Sequence, residues 1–212
     1  MTQRKIIDVS VYNGTIDWKK AKKYGCDGAI IKIIRKDLGK DKKFEANYKK
    51  CEELGIPWGV YNYTYATTVA KAKSDMKLVC DILDKISKKH FKYGVWFDIE
   101  DKVQAKLTKG MIASIINAAQ TVVESRGYKF GVYTGMSYFS EHIDKNKLKP
   151  GDICFYRLHT NIFAGINENN KMVWWDAGKA STNTKKAGGT YKKIHRIINS
   201  NQKILYVLRW KG

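Results

Sequence analysis

Short apolar runs rich in β-branched and aromatic residues recur along the chain, and stretches of helical period separate most of them. The runs predict strands over residues 6–10, 28–33, 59–65, 94–100, 130–135, 152–157, 172–176 and 204–209, several with glycine at an edge. Between them, Phe44, Tyr48 and Cys51 share one helical face, as do Ala72, Met76, Cys80 and Leu83. The clearest helix carries Met111, Ile112, Ile115, Ala119, Val122 and Val123 as its apolar stripe. Thr108 is placed to cap its start, and Gly127 lies just past its end.

Strand, helix, strand in repetition predicts an α/β fold with a parallel sheet and crossover helices. Eight strand runs favour a closed β/α barrel over an open doubly wound sheet. No glycine-rich phosphate loop follows the first strand, which argues against a nucleotide-binding version of the topology. The 212 residues suit one domain over the whole chain, 1–212, and are slightly few for an eight-fold barrel. The texture changes near the end. After Asp176 no acidic residue occurs while nine Lys or Arg do, and residues 181–190 read as loop.

Composition sharpens this picture at three points. The formal charge of +20 suits polyanions such as nucleic acid, anionic membranes or teichoic-acid-bearing walls, and is equally what a lysine-rich solvated surface would give. Cys26, Cys51, Cys80 and Cys154 lack metal or redox spacing and read as free thiols. The opening Met1-Thr2-Gln3-Arg4-Lys5 runs straight into the first strand, and no apolar run reaches eighteen residues. Neither a secretory leader nor a membrane span is therefore expected in this chain.

The candidate chemistry lies in carboxylates at strand ends, where a parallel barrel gathers its functional groups. Asp8 lies in Lys5-Ile-Ile-Asp8-Val-Ser10, and Gly94-Val-Trp-Phe-Asp98-Ile-Glu100 closes on two acids, with Asp101 next. Residues two apart on a strand project from one face with α-carbons about 6.6 Å apart, so Asp98 and Glu100 can share a cleft. Glycoside hydrolysis needs such a pair: one group protonates the leaving oxygen, the other supports the cationic centre. Crowded carboxylates also hold at least one proton toward neutral pH. An isolated Asp-x-Glu is more often explained by ion pairing or helix capping. Tyr61, Tyr63 and Tyr65 alternate along one strand and Tyr133 ends another; such rings suit sugar faces or a plain core.

The combination is more specific than its parts. Asp8-Val-Ser10 with Gly14 and Ile16-Asp17-Trp18 resembles the opening of the family 25 glycoside hydrolases, the Chalaropsis-type lysozymes of endolysins and autolysins. Phe44-Glu-Ala-Asn47, Gly55-Ile-Pro57, Gly59-Val-Tyr-Asn-Tyr63-Thr-Tyr-Ala66, Phe97-Asp98-Ile-Glu100-Asp101 and Tyr128-Lys-Phe-Gly131-Val-Tyr133 follow in the family's order. The resemblance spans about residues 5–150. It implies an irregular, shortened β/α (TIM-like) barrel and β-1,4-N-acetylmuramidase action on bacterial peptidoglycan, at the cell wall. It further implies Glu100 as general acid, Asp98 as nucleophile or as the group that orients an attacking N-acetyl, and Asp8 as the third carboxylate of the cleft. Tyr61, Tyr63, Tyr65 and Tyr133 become the substrate-binding residues, with no metal, no cofactor and a monomeric chain expected. Residues 151–212 depart from the family: Asp152-Ile-Cys-Phe-Tyr156 and Val173-Trp-Trp-Asp176 only loosely echo its strands, and its closing Val-Asp-x-Asn is absent. An atypical C-terminal quarter with incomplete barrel closure is the expectation.

Three other functions compete. A wall-binding module on the same fold would keep the cleft without hydrolysis. A nucleic-acid binder would use the charge, but no helix-turn-helix, RNP-like, KH-like or zinc-finger pattern accompanies it. A metal-dependent phosphoesterase would want histidines, and His90, His142, His159 and His195 show no ligand spacing.

Overall fold

A computed structural model describes residues 6–134 and 136–143, of which 136, 137 and 140 by their backbone alone, and the backbone of five later strands within 152–209. Two compact units result, 1–131 and 132–212. In the first, strands β1 (Ile6–Val9), β2 (Gly28–Lys32), β3 (Trp58–Tyr63) and β4 (Phe91–Asp98) lie in chain order, and β5 (Phe130–Tyr133) completes the hydrogen-bonded order β1-β2-β3-β4-β5. The pairs β1–β2, β2–β3 and β3–β4 are parallel. Parallel neighbours need a crossover, and helices α1 (Trp18–Lys23), α2 (Phe44–Leu54), α3 (Val69–Leu83) and α4 (Lys109–Ser125) occupy the connections.

Three of the four helices start on a side-chain cap, and α2 starts without one. Asp17 accepts from Lys20 N to start α1, Thr68 caps α3, and Thr108 accepts from Met111 N at 3.2 Å to start α4. The apolar faces of α2 (Phe44, Tyr48, Cys51), α3 (Ala72, Met76, Val79, Cys80, Leu83) and α4 (Ile112, Ile115, Ala118, Ala119, Val123) are buried. Met111, assigned to the α4 stripe, is exposed instead; it sits in the first turn, before the helix reaches the sheet. Cys26, Cys51 and Cys80 are free thiols as expected, and desolvation pushes Cys51 up to about 12 and Cys80 to about 11.

The register divides the sheet into two faces. Val9, Ile31, Val60 and Val95 form one aligned row, all buried, and that face carries the core. The opposite parity carries Asp8, then Lys32 beside Tyr61 beside Trp96, then Tyr63 beside Asp98. A bulge between β3 and β4 sets this phase: Trp58 faces Phe91, yet Val60 faces Val95. Gly94 absorbs the irregularity at φ 69°, where a Cβ would stand 2.5 Å from the Lys129 carbonyl. Gly131 lacks a side chain for a different reason. The Trp96 ring lies against its α-carbon, and a Cβ there would meet the ring at 2.2 Å.

The second unit differs from the expected continuation of the alternation. After α5 (Met136–His142) come β6 (Asp152–Tyr156), β7 (His159–Ile166), β8 (Met172–Asp176), β9 (Ile194–Ile198) and β10 (Leu208–Arg209). They form an antiparallel sheet in the order β10-β6-β7-β8-β9. Only two residues separate β6 from β7, too few for a crossover helix, so a hairpin is forced. The strand expected over 204–209 is described only as Leu208–Arg209, while β7 and β9 were not foreseen. The loop expected over 181–190 lies outside the described residues.

Candidate active site

In the first unit the parallel strands deliver their side chains to one end and one face of the sheet. Asp98, the last residue of β4, is 5% exposed, and its Oδ1 has no hydrogen-bond partner among the described residues. Burial holds its pKa well above the ordinary carboxylate range, with the charges of Glu100 and Asp8 adding to the effect and Lys32 opposing it. Asp8 stays open to solvent on β1. Its pKa is raised by the surrounding protein and drawn back by a hydrogen bond from the Tyr61 hydroxyl and by Lys32. Three carboxylates thus feel one another across β1 and β4, although 90 residues of chain separate Asp8 from Asp98.

Glu100 lies two residues past the end of β4 and is half-buried. Its neighbour Asp101 accepts a hydrogen bond from the Tyr63 hydroxyl at 3.2 Å and one from Val103 N at 3.0 Å. Tyr61 and Tyr63 stand on the carboxylate face. Desolvation raises both phenols, helped by Asp8 at Tyr61 and by Asp101 at Tyr63, so both stay neutral donors. Tyr65 continues the line outward, its ring centroid 5.2 Å from that of Tyr63. Tyr133 ends β5 half-buried, within the second unit. Of the seven residues expected at the site, six therefore belong to the first unit.

Reading the sequence missed several partners. Lys32 is the cation of the cluster, its ammonium 5.5 Å from the Tyr63 centroid and 5.9 Å from that of Tyr61. Period two along β2 puts Lys32 on the parity of Ile30, beside Asp8, and that signal was available. Ser10 is another: its hydroxyl hydrogen-bonds Tyr61 and also accepts from Tyr12 N, in a capping box closed by Asn13. Buried Asp41 accepts from Val11 N at 3.2 Å and from Lys43 N at 2.9 Å, tying the loops after β1 and β2 together. Gln104, fully buried in the loop after β4, had no signal in the sequence. Among the described residues no group of histidine, cysteine and carboxylate side chains could hold a metal ion, and no helix is long and apolar enough to cross a membrane.

An acid pair flanked by aromatic rings, on the carboxyl edge of parallel strands, can move a proton and face a positive centre on the same substrate. Known proteins resemble this chain in sequence and in fold. Lysozyme M1 of Streptomyces globisporus is 39% identical over 57 residues, which is 27% of this chain and 19% of that protein. The modular autolysin LytC of Streptococcus pneumoniae superposes with a TM-score of 0.60 at 26% identity, over 80% of this chain and 43% of its own, and has also been solved with a synthetic peptidoglycan ligand. This chain thus spans less than half the length of that autolysin and about a fifth of that lysozyme. A family 25 glycosyl hydrolase from Bacillus anthracis shares the fold at a TM-score of 0.55 and 16% identity, over 97% of this chain and 87% of its own. The model of the glycosyl hydrolases family 25 matches residues 7–186, a span that takes in Asp8, Asp98 and Glu100, and the chain belongs to that family.

Proposed function

We propose that the protein is a muramidase that hydrolyses the β-1,4 bond between N-acetylmuramic acid and N-acetylglucosamine in bacterial peptidoglycan. The observation that carries this reading is the electrostatic coupling of Asp8, Asp98 and Glu100 at one face of the sheet. Family membership and the peptidoglycan ligand of the pneumococcal autolysin support the substrate class. The fold is read as a shortened, irregular β/α barrel forming one catalytic domain, working as a monomer at the cell wall.

Glu100 is the general acid. It gives its proton to the glycosidic oxygen as the bond from that oxygen to the anomeric carbon breaks. Asp98 faces the positive charge that develops on the sugar, either by attacking the anomeric carbon or by holding the acetamido group that attacks. Its partnerless Oδ1 is placed to accept an N–H. Water then attacks the anomeric carbon, Glu100 takes the water's proton, and the enzyme is restored. Asp8 sets the charge around Asp98 through the pair it makes with Tyr61, and Tyr61, Tyr63 and Tyr65 line the sugar groove. The basic surface is read as a field for anionic wall polymers.

Digestion of purified walls followed by mass analysis of the released fragments tests the reading. New reducing ends on N-acetylmuramic acid are expected. Reducing ends on N-acetylglucosamine, or intact walls, would overturn it.

A further inference from the structure

The site depends on two loops that leave the sheet side by side, one after β3 with Tyr65 and one after β4 with Glu100 and Asp101. A backbone rung from Thr64 N–H to the Asp98 carbonyl, 2.8 Å, extends the ladder one step past β3. Further out, one side chain bridges the loops. Gln104 is 0% exposed. Its Nε2 donates to the carbonyls of Thr64 at 3.2 Å and Ala66 at 3.0 Å, the two residues that flank Tyr65. Its Oε1 accepts from the N–H of Asp101 at 3.2 Å, next to Glu100. The amide of Gln104 thereby makes the bonds that a peptide group would make between strands.

The residue that makes this bridge is itself held. Gln104 N donates to the Asp101 carbonyl at 3.0 Å and Leu107 N to the Gln104 carbonyl at 2.9 Å, so the loop closes on its own side chain. Ala66 N donates to Thr64 Oγ1 at 3.1 Å, which fixes the two carbonyls that Gln104 reaches. A second tie runs parallel, from the Tyr63 hydroxyl to Asp101. A fully buried amide with both donors and its acceptor engaged has one rotamer, and a loop built on it has one position.

We propose that Gln104 is a positioning residue for the reaction: it fixes the backbone that carries Glu100 against the tyrosine wall of the cleft. The inference rests on the assignment of Glu100 as the acid. It touches no substrate, and acts by holding the distance between proton donor and bound sugar. Displacements of about 1 Å at a catalytic group cost on the order of a hundredfold in rate, so a loop tie of this kind is worth more to turnover than to folding.

Gln104→Met tests it, since methionine fills the same volume without donor or acceptor. Trp58→Phe is the control. It removes one partly buried side-chain bond, Trp58 Nε1 to Glu52 at 2.7 Å, at the opposite end of β3. Steady-state rates on wall glycan and amide hydrogen exchange are measured for both, with the wild type. Gln104→Met is expected to lower kcat about tenfold or more with KM within about twofold, and to speed exchange of the Asp101 amide by tenfold or more. Trp58→Phe is expected to leave kcat per folded molecule and Asp101 exchange unchanged while lowering the melting temperature. Equal kcat in the two variants, or unaltered exchange at Asp101 in Gln104→Met, would overturn the proposal. A wild type without activity on walls would instead sink the muramidase reading, and the exchange of Asp101 would still report whether the bridge holds.

Discussion

Replacing Asp98 with asparagine should make the folded protein more stable at neutral pH while removing its activity. Asp98 is buried, its Oδ1 lacks a partner among the described residues, and Glu100 and Asp8 repel its charge. Two unit charges about 6.6 Å apart, the spacing of alternate residues on a strand, repel by about 2.5 kcal/mol at an effective dielectric near 20. Lys32 returns part of this. Leaving a buried acceptor unmade costs roughly 1–3 kcal/mol more, a cost the asparagine carbonyl retains. A net gain of about 1–2 kcal/mol remains once the charge is gone, worth roughly 2–8 °C in melting temperature for a chain of this size. The pH dependence makes the test sharp. The ordinary value for this group is 3.8 and burial raises it in the native state, so above the ordinary value the folded protein binds more protons than the unfolded one. Stability from this group is present at low pH and lost as pH rises through the raised value. Melting curves of wild type and Asp98→Asn from pH 4 to 8 should therefore nearly coincide at the acid end and separate steadily, with the variant higher. A variant that melts lower at pH 8, or a gap of constant size across the range, would refute the electrostatic account.

Three further outcomes follow from the same geometry. Glu100→Gln should reduce wall hydrolysis by on the order of a hundredfold or more with an unchanged circular dichroism spectrum, because an amide has no proton to give; near wild-type turnover would remove Glu100 from its role. Asp8→Asn should act more mildly, shifting the pH profile of kcat to the acid side, since one of the charges that raises Asp98 is gone. If Asp8→Asn proved the most damaging change of the three carboxylates, their roles would need exchanging. Sedimentation of inactive Glu100→Gln with purified walls should weaken steeply between low and high salt if the basic excess is functional, because exposed charges are screened beyond about 8 Å at physiological ionic strength.

Where the sequence was legible, one side chain pattern fixed one local choice. Thr108 is a cap because its hydroxyl accepts from the third residue on, and the stripes of α2, α3 and α4 bury most of the residues their spacing selects, Met111 and Val122 excepted. Strand ends moved by one to three residues, as at β4, which runs Phe91–Asp98 where 94–100 was expected. There the competing signal was the bulge at Gly94, an irregularity that alternation does not encode. The C-terminal strands misled for a different reason. A run such as 152–157 is equally apolar in a parallel or an antiparallel partner, and only the length of the connection decides. Two residues between β6 and β7 decided for a hairpin, and β7 itself, His159–Ile166, carries too mixed a pattern to stand out.

The carboxylates of the site were legible for a related reason. In a parallel sheet the parity of a residue and its distance from the strand end determine where its side chain emerges, so Asp8, Asp98, Tyr61 and Tyr63 could be assigned a face before any coordinate was known. Lys32 obeys the same rule and was recoverable by it. Gln104 was not, because a loop residue owes its place to three carbonyl and amide groups that only the folded backbone brings within reach. The division has a physical basis. Strand residues are addressed by periodicity, which a sequence displays; loop residues are addressed by the unsatisfied backbone around them, which it does not. The site combines both kinds of address. Asp8 and Asp98 stand on the sheet, Asp8 open to solvent and Asp98 buried at electrostatic cost, and Glu100, the proposed acid, lies in the loop that the Gln104 amide bridges. An arrangement of this kind places repulsion on the sheet, where the charges of Asp8 and Glu100 act on Asp98. It places adjustment where one hydrogen-bonded side chain governs the distance from Glu100 to the tyrosine wall.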